Sequence, residues 1–211
     1  MAEPEKDCAL CPRLAHFRDA NRAAFPSFFN RPVPSFGPAD ARLLVVGLAP
    51  GLKGANRTGR PFTGDYAGEL LYTTLIKFGF ARGTYAARPD DGLILVGARI
   101  TNAVRCVPPE NKPVPAEVAT CRNFLSAEID ALSHLRAILC LGNISHASVL
   151  ACFGLKPGKA PFAHGAEYQL ARGIRLFDSY HCSRLNTNTG RLTAEMFEEV
   201  MARIRRHVDD A

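Results

Sequence analysis

The sequence predicts an α/β fold, a parallel β-sheet layered by helices on both faces, and two observations carry that prediction. Four short runs rich in Val, Ile and Leu are apolar at several successive positions, as strands covered on both faces are. Stretches with apolar residues at helical spacing lie between and after them, and a chain that alternates strand with helix builds a parallel sheet between helical layers. The size agrees: 211 residues suit a single domain spanning 1–211, long enough to bury a core without disulfides. A hydrophobic fraction of 47% against 22% charged excludes disordered and fibrous classes.

In chain order, the first element is a helix over Pro12–Phe25, ahead of any strand. The first strand is Arg42–Pro50 (RLLVVGLAP). A helix over Asp65–Phe80 follows, with Leu70, Leu71, Thr74, Leu75 and Phe78 near 3.6-residue spacing. Gly92–Ile100 (GLILVGARI) is the second strand. Pro115 opens the next helix, which runs to Leu132, at a position where its missing N–H is no loss. Val118, Cys121, Phe124, Leu125 and Ile129 form its apolar stripe. Leu135–Asn143 (LRAILCLGN) is a strand, Ile144–Phe153 a short helix, Ile174–Cys182 (IRLFDSYHC) the fourth strand, and Thr193–Val208 the last helix, capped in the Thr193–Met196 region. Polar and glycine-rich segments follow Pro50, Ile100, Leu141 and Tyr180. A ligand site is therefore expected on the rim beyond the carboxyl ends of the strands.

The formal net charge of +6 favours a polyanionic partner, although charge bears on association and not on fold. No run of about 18 apolar residues occurs, so no membrane span is expected. The opening MAEPEKDCAL lacks the profile of an export signal. A cytoplasmic, reducing compartment follows as the expectation, and there the seven cysteines read as metal ligands or buried thiols before disulfides.

Cys8 and Cys11 form a C-x2-C pair ahead of the first helix, while Cys106 follows a strand and Cys121 lies inside a helix. Cys8 stands in a polar segment, EPEKDCALCPR, and Cys106 in a proline-rich one, RCVPPENKP, where core thiols are not expected. Cys140 and Cys152 sit in apolar runs and read as core. Four thiolates suit zinc or an iron–sulfur cluster. Spacing alone does not separate the two.

The segment Gly47–Asp65, GLAPGLKGANRTGRPFTGD, holds five glycines in 19 residues, which let the backbone approach a ligand closely. It has neither the Gly-Lys-Ser/Thr of a phosphate loop nor the dinucleotide glycine spacing. It carries Asn56, Arg57, Arg60, Phe62 and Asp65. Phe62 reads either as a core plug or as a platform on which a base stacks, and Asp65 either as a helix cap or as a functional carboxylate. Asn102 and Asn111, in TNAVRCVPPENKP, offer amides that can pair with a base edge. His181, in YHCSRLNTNTGRLT, stands at a strand end among polar residues and is a candidate donor to a substrate oxygen. Arg184 and Leu185 could enter a duplex groove, as apolar wedges do.

Together GLAPGLKGANRTGRPFTGD, NAVRCVPPENKP and HCSRLNTNTGRLT, with the four cysteines, resemble the uracil-DNA glycosylase superfamily, and within it family 5, the type B enzymes. The resemblance spans Cys8 to Thr193. It implies a three-layer α/β/α domain with a central four-stranded parallel sheet. It also implies a structural [4Fe–4S] cluster on Cys8, Cys11, Cys106 and Cys121, in preference to zinc. The implied activity is hydrolysis of the N-glycosidic bond of uracil, and of other deaminated bases such as hypoxanthine and xanthine, in DNA. Leu48 stands where related families place a polar residue that handles the water. Family 5 shares that feature and uses the aspartate matching Asp65, with the asparagine matching Asn111. Asn102 matches the base-reading asparagine of family 4, and Cys182 replaces a proline common in the last motif.

The expected chemistry uses these residues together. The damaged nucleotide is flipped from the duplex and its base stacks on Phe62, with Gly47, Ala49, Ser183 and Arg184 completing the substrate-binding set. Asn102 reads its Watson–Crick edge. His181 donates to the base oxygen on which negative charge develops. Asp65 orients or deprotonates water and favours the cationic sugar. With no lysine nucleophile evident, an abasic site without strand cleavage is expected, made by a nucleoid-associated monomer. Two rivals predict differently. A non-catalytic iron–sulfur nucleic-acid-binding module would be indifferent to Asp65, and a zinc-stabilised hydrolase would turn over free nucleotides.

Overall fold

The structure is a computed structural model and describes residues 3–210. Its elements are α1 (Pro12–Ala24), β1 (Leu43–Gly47), α2 (Ala55–Thr58), α3 (Ala67–Lys77), β2 (Ala81–Arg82), β3 (Ile94–Leu95), β4 (Ala98–Asn102), α4 (Pro115–Ala131), β5 (Ala137–Leu141), α5 (Asn143–Cys152), β6 (Glu167–Gln169), β7 (Arg175–Ser179), α6 (Arg184–Asn188) and α7 (Ala194–Asp209). The main sheet has the order β4-β1-β5-β7-β6. Its first four strands are parallel, with Leu43 opposite Ala98 on one side and Ala137 on the other.

The expectation of four strands is corrected by one. β6 adds to the edge of the sheet, antiparallel to β7. Its Glu-Tyr-Gln sequence is half-exposed, and a strand covered on one face carries no continuous apolar run. The Gly92–Ile100 run is also corrected. Gly97 takes a φ of +62° and divides it, so Ile94–Leu95 pairs antiparallel with β2. The sheet strand starts at Ala98 and runs on to Asn102, opposite Gly47.

Successive residues of each strand feed two cores, as the pleat requires. Leu43, Val45 and Leu139 pack with Leu71, Leu75, Phe197 and Ile204 of α3 and α7. Leu44, Val46 and Ile138 pack with Leu125, Ile129, Val149 and Leu150 of α4 and α5. Each such side chain, fully buried, contributes roughly 1.5–3 kcal/mol, and this produces the three-layer α/β/α arrangement. A third, smaller cluster joins Leu14 of α1 to Val104, Cys106 and Cys121, with Cys11, Ala49, Val118 and Phe124 against it.

Helix starts follow local chemistry. The Thr193 hydroxyl accepts from the Met196 amide at 3.2 Å, a side-chain cap. Pro115 occupies the first turn of α4. The chain leaves β1 for β4 on one side and later reaches β5 on the other. That reversal opens a crevice past the end of β1. Among the described residues no helix is long and apolar enough to cross a membrane.

Candidate functional site

A pocket of about 310 Å³ opens beyond the carboxyl ends of β1, β4 and β7. Of the nine residues singled out for catalysis and substrate binding, eight line it: Ala49, Phe62, Asp65, Asn102, Asn111, His181, Ser183 and Arg184. Gly47 lies beneath them. A Cβ there would collide with the Asn102 side chain and come within 2.6 Å of the Phe62 ring, so the wall closes only over a glycine.

Phe62 is buried in the wall and stacks against His181, with ring centroids 5.7 Å apart. Its backbone takes a φ of +52°, costly for a bulky residue unless its surroundings impose it. They do. The Tyr85 hydroxyl donates to the Phe62 carbonyl at 3.1 Å, and the Tyr72 hydroxyl to that of Pro61 at 2.7 Å. Arg60 donates to the Thr63 hydroxyl at 2.7 Å and makes a bidentate pair with Asp91 at 2.8 and 2.7 Å. Arg60 is thus a buried brace of this loop, and Asn56 likewise bonds Asn30 at 2.9 Å. Neither faces the pocket.

Asp65 lies just before α3, whose first residue is Ala67, two positions later than the sequence pattern placed it. Gly51 and Gly54 leave room for its carboxylate: a Cβ on Gly54 would collide with it, and one on Gly51 would stand 3.2 Å away. The carboxylate is open to solvent within the pocket, yet the walls crowd it. That crowding raises its pKa above the ordinary carboxylate value, against the pull of the Ala67 and Gly68 amides and of Arg57. Asp65 thus sits both just before a helix and in the pocket wall, so neither reading excludes the other.

Asn102 is buried at the end of β4, and among the described residues its amide has no partner. His181 is in the same condition. Its carbonyl accepts from the Asn186 side chain at 2.9 Å, which fixes the backbone, but neither ring nitrogen is bonded to the described residues. One edge of the ring reaches the pocket, while the packing around it strips solvation from the cation. Burial pushes its pKa down to about 4, so the ring is neutral at pH 7 and holds one N–H to donate.

Asn111 stands on the exposed side with a φ of +57°, a conformation asparagine tolerates. The Ser183 hydroxyl caps α6 by accepting from the Asn186 amide at 3.4 Å. Leu185 is 73% exposed, as a groove-entering residue would be. Tyr66 was missed by sequence reasoning. It lines the pocket, half-exposed, with the Arg184 guanidinium over its ring at 5.1 Å, and an aromatic directly after Asp65 was the available signal.

Cys8, Cys11, Cys106 and Cys121 border a second, small cavity with Leu14, Val104 and Phe124. Among the described residues no three His, Cys, Asp or Glu side chains meet as ligands of a single ion would. Burial pushes Cys106 up to about 12 and Cys121 up to about 11, and a bound metal would reverse this by deprotonating the thiols. The Arg105 amide donates to the Cys121 sulfur at 3.3 Å. Buried Arg18 donates to the Cys8 carbonyl at 2.8 Å and favours the Cys106 thiolate. Soft donors, an amide aimed at sulfur and a nearby cation fit an anionic thiolate group. Cys140 is in the core, as expected, and Cys152 packs at its margin.

A family model described as the uracil DNA glycosylase superfamily matches residues 34–205. The chain is 47% identical over 204 residues to a type-5 uracil-DNA glycosylase of Thermus thermophilus, covering 94% of this chain and 93% of that one. It is 42% identical over 201 residues to a type-5 uracil-DNA glycosylase of Pyrobaculum aerophilum, covering 93% and 87%. A type-4 uracil-DNA glycosylase of the same organism is 32% identical over 165 residues, covering 78% and 70%.

Proposed function

Because this chain belongs to the uracil DNA glycosylase superfamily, we propose that it hydrolyses the bond between uracil and deoxyribose in DNA and leaves an abasic site. One observation carries the reading: an aromatic face, an unpartnered buried amide, a neutral imidazole and a carboxylate border one pocket. A flipped base fills that space. Phe62 stacks on it, and the Asn102 amide pairs with its edge, accepting from N3–H and donating to O4. In the transition state the sugar gains positive charge and the base negative charge. A donor that strengthens as the charge develops lowers the barrier. The His181 N–H is that donor, held in a dry wall where it costs little reorganisation. Asp65 faces the cationic sugar and orients water, seconded by Asn111.

The pocket extends to hypoxanthine and xanthine on the same logic, since an amide and an N–H recognise a carbonyl edge on either ring system. The protein acts as a monomer. Cys8, Cys11, Cys106 and Cys121 hold a [4Fe–4S] cluster that braces the loop between Asn102 and Asn111, and its chemistry there is structural. The preference for a cluster over a lone zinc ion rests on the resemblance of the cysteine-bearing motifs to those of family 5.

The experiment is excision from an oligonucleotide with a single uracil, followed by alkaline cleavage of abasic sites. Cleaved product that depends on both uracil and protein is expected, with hypoxanthine and xanthine substrates as further arms. Binding without cleavage would favour the non-catalytic module instead, and turnover of free deoxyuridine nucleotides the hydrolase rival.

A further inference from the structure

The residues that flank the four cysteines form a second pattern, made of charges. Three separate segments supply the thiols: the N-terminal stretch with Cys8 and Cys11, the connection after β4 with Cys106, and α4 with Cys121. Glu117, Cys121 and Glu128 lie four and seven residues apart, which places all three on one side of the helix. Arg13, two residues after Cys11, donates to both oxygens of Glu117 at 2.8 Å. Arg105, immediately before Cys106, donates to Glu128 at 3.2 Å. α4 is therefore gripped on either side of Cys121 by cations that are chain neighbours of the other cysteines.

The grip is extended on both sides. Arg105 also donates to Glu3 in the N-terminal stretch, to the Thr101 hydroxyl at 2.6 Å and to the Val33 carbonyl at 2.8 Å. Arg99 takes the other Glu128 oxygen at 2.6 Å. Glu117 accepts in turn from the Val114 amide at 2.9 Å. The side chains of Arg105 and Glu128 are almost wholly buried, so these bonds are little screened. None of them uses a sulfur atom.

We propose that these ion pairs set the four thiols in place before any metal arrives, so that the cluster enters an already folded chain. This rests on the reading of the thiols as cluster ligands. Small metal-binding domains without such pairing fold only when the ligand binds. Here the two large cores and the charge pairs already fix the three segments, and the four cysteines border one cavity.

The test compares wild type with Arg13→Gln and Glu128→Gln, and with Arg203→Gln as a control that breaks the Arg203–Glu167 pair at β6 and α7. Each is purified anaerobically, assayed for iron and acid-labile sulfide, and challenged with a chelator while absorption near 400 nm is followed. Cluster-free protein is then examined by circular dichroism and thermal melting. Cluster-free wild type is expected to be folded and to melt cooperatively. Arg13→Gln is expected to fold and to release iron at least about tenfold faster than wild type, with the control unchanged.

Arg13 is half-exposed, so its replacement keeps the test open even where Glu128→Gln fails to fold. Iron release from Arg13→Gln at the wild-type rate, or cluster-free wild type that is unfolded, overturns this inference alone. Wild type lacking iron and sulfide altogether overturns the cluster reading and this inference with it.

Discussion

At the pocket, the amide of Asn102 and the ring nitrogens of His181 have no hydrogen-bond partner among the described residues. Three residues beyond Asn102, the Arg105 guanidinium has a partner for every nitrogen: Val33, Thr101, Glu128 and Glu3. A buried polar group left unpaired costs free energy, whereas a satisfied network makes the local structure unique. On the proposed function, the difference separates groups left open toward a ligand from groups that hold the frame. Changes at the first region should cost activity and spare stability, and changes at the second should do the reverse.

The largest effect expected is at Asp65. Replacing it with Ala should lower kcat on uracil-containing DNA by roughly 10²–10⁴-fold, the range for a positioned base. The melting temperature should hardly move, because the carboxylate is open to solvent and partly strained by its crowding. Single-turnover excision and a thermal melt on the same preparation check both halves. A variant that keeps wild-type kcat and only melts lower would return Asp65 to a purely structural role.

Glu128→Gln should show the opposite profile. It leaves the Arg99 and Arg105 cations buried with a weakened partner, and breaking such a pair costs about 3–5 kcal/mol. For a chain of this size that is a fall of roughly 6–20 °C in melting temperature. Molecules that stay folded and loaded should excise uracil with near-normal kcat. Loss of kcat beyond the loss of folded protein would mean that the two regions are not separable.

Leu185→Ala should have a smaller effect. The side chain is 73% exposed beside the pocket, where it serves no core. As a wedge it offsets part of the cost of flipping, which is lowest for a mispaired base. Its loss should weaken excision about fivefold for uracil opposite adenine and less for uracil opposite guanine. Equal losses on both duplexes would remove the wedge role.

The two regions also differ in how far the sequence disclosed them. β1 and β5 were legible because a strand covered on both faces is apolar throughout, β7 by Leu176 and Phe177 alone, and Cys8 and Cys106 stood out as candidates because thiols in polar segments call for a reason. Asp65, Phe62, Asn102 and His181 were legible as polar or aromatic residues following strand ends. β6 was not, since Glu-Tyr-Gln on an edge carries no pattern. The bracing role of Arg60 was not legible because its partner, Asp91, is 31 residues away, and the pairing of Arg105 with Glu3 spans 102 residues. Long-range pairs leave no local trace, and the frame is made largely of them.

The smallest effect expected is the lack of a His181 inflection between pH 6 and 8, and it separates the regions most finely. An unperturbed histidine titrates near 6.5, so an ordinary one at position 181 would place an inflection in that window. Burial instead disfavours the His181 cation and moves its pKa to about 4. The ring stays neutral as pH falls from 8 through 6.5 and becomes charged only near 4. Asp65, whose pKa burial raises, must remain ionised to act, so its protonation can only lower activity as pH falls. The kcat/KM for uracil excision should show no His181 inflection across pH 6–8, since that ring charges only on the acid side of the window. An inflection near 6.5 that disappears in His181→Asn would show that the ring is hydrated in the working enzyme, and that the wall of the pocket is wetter than its packing implies.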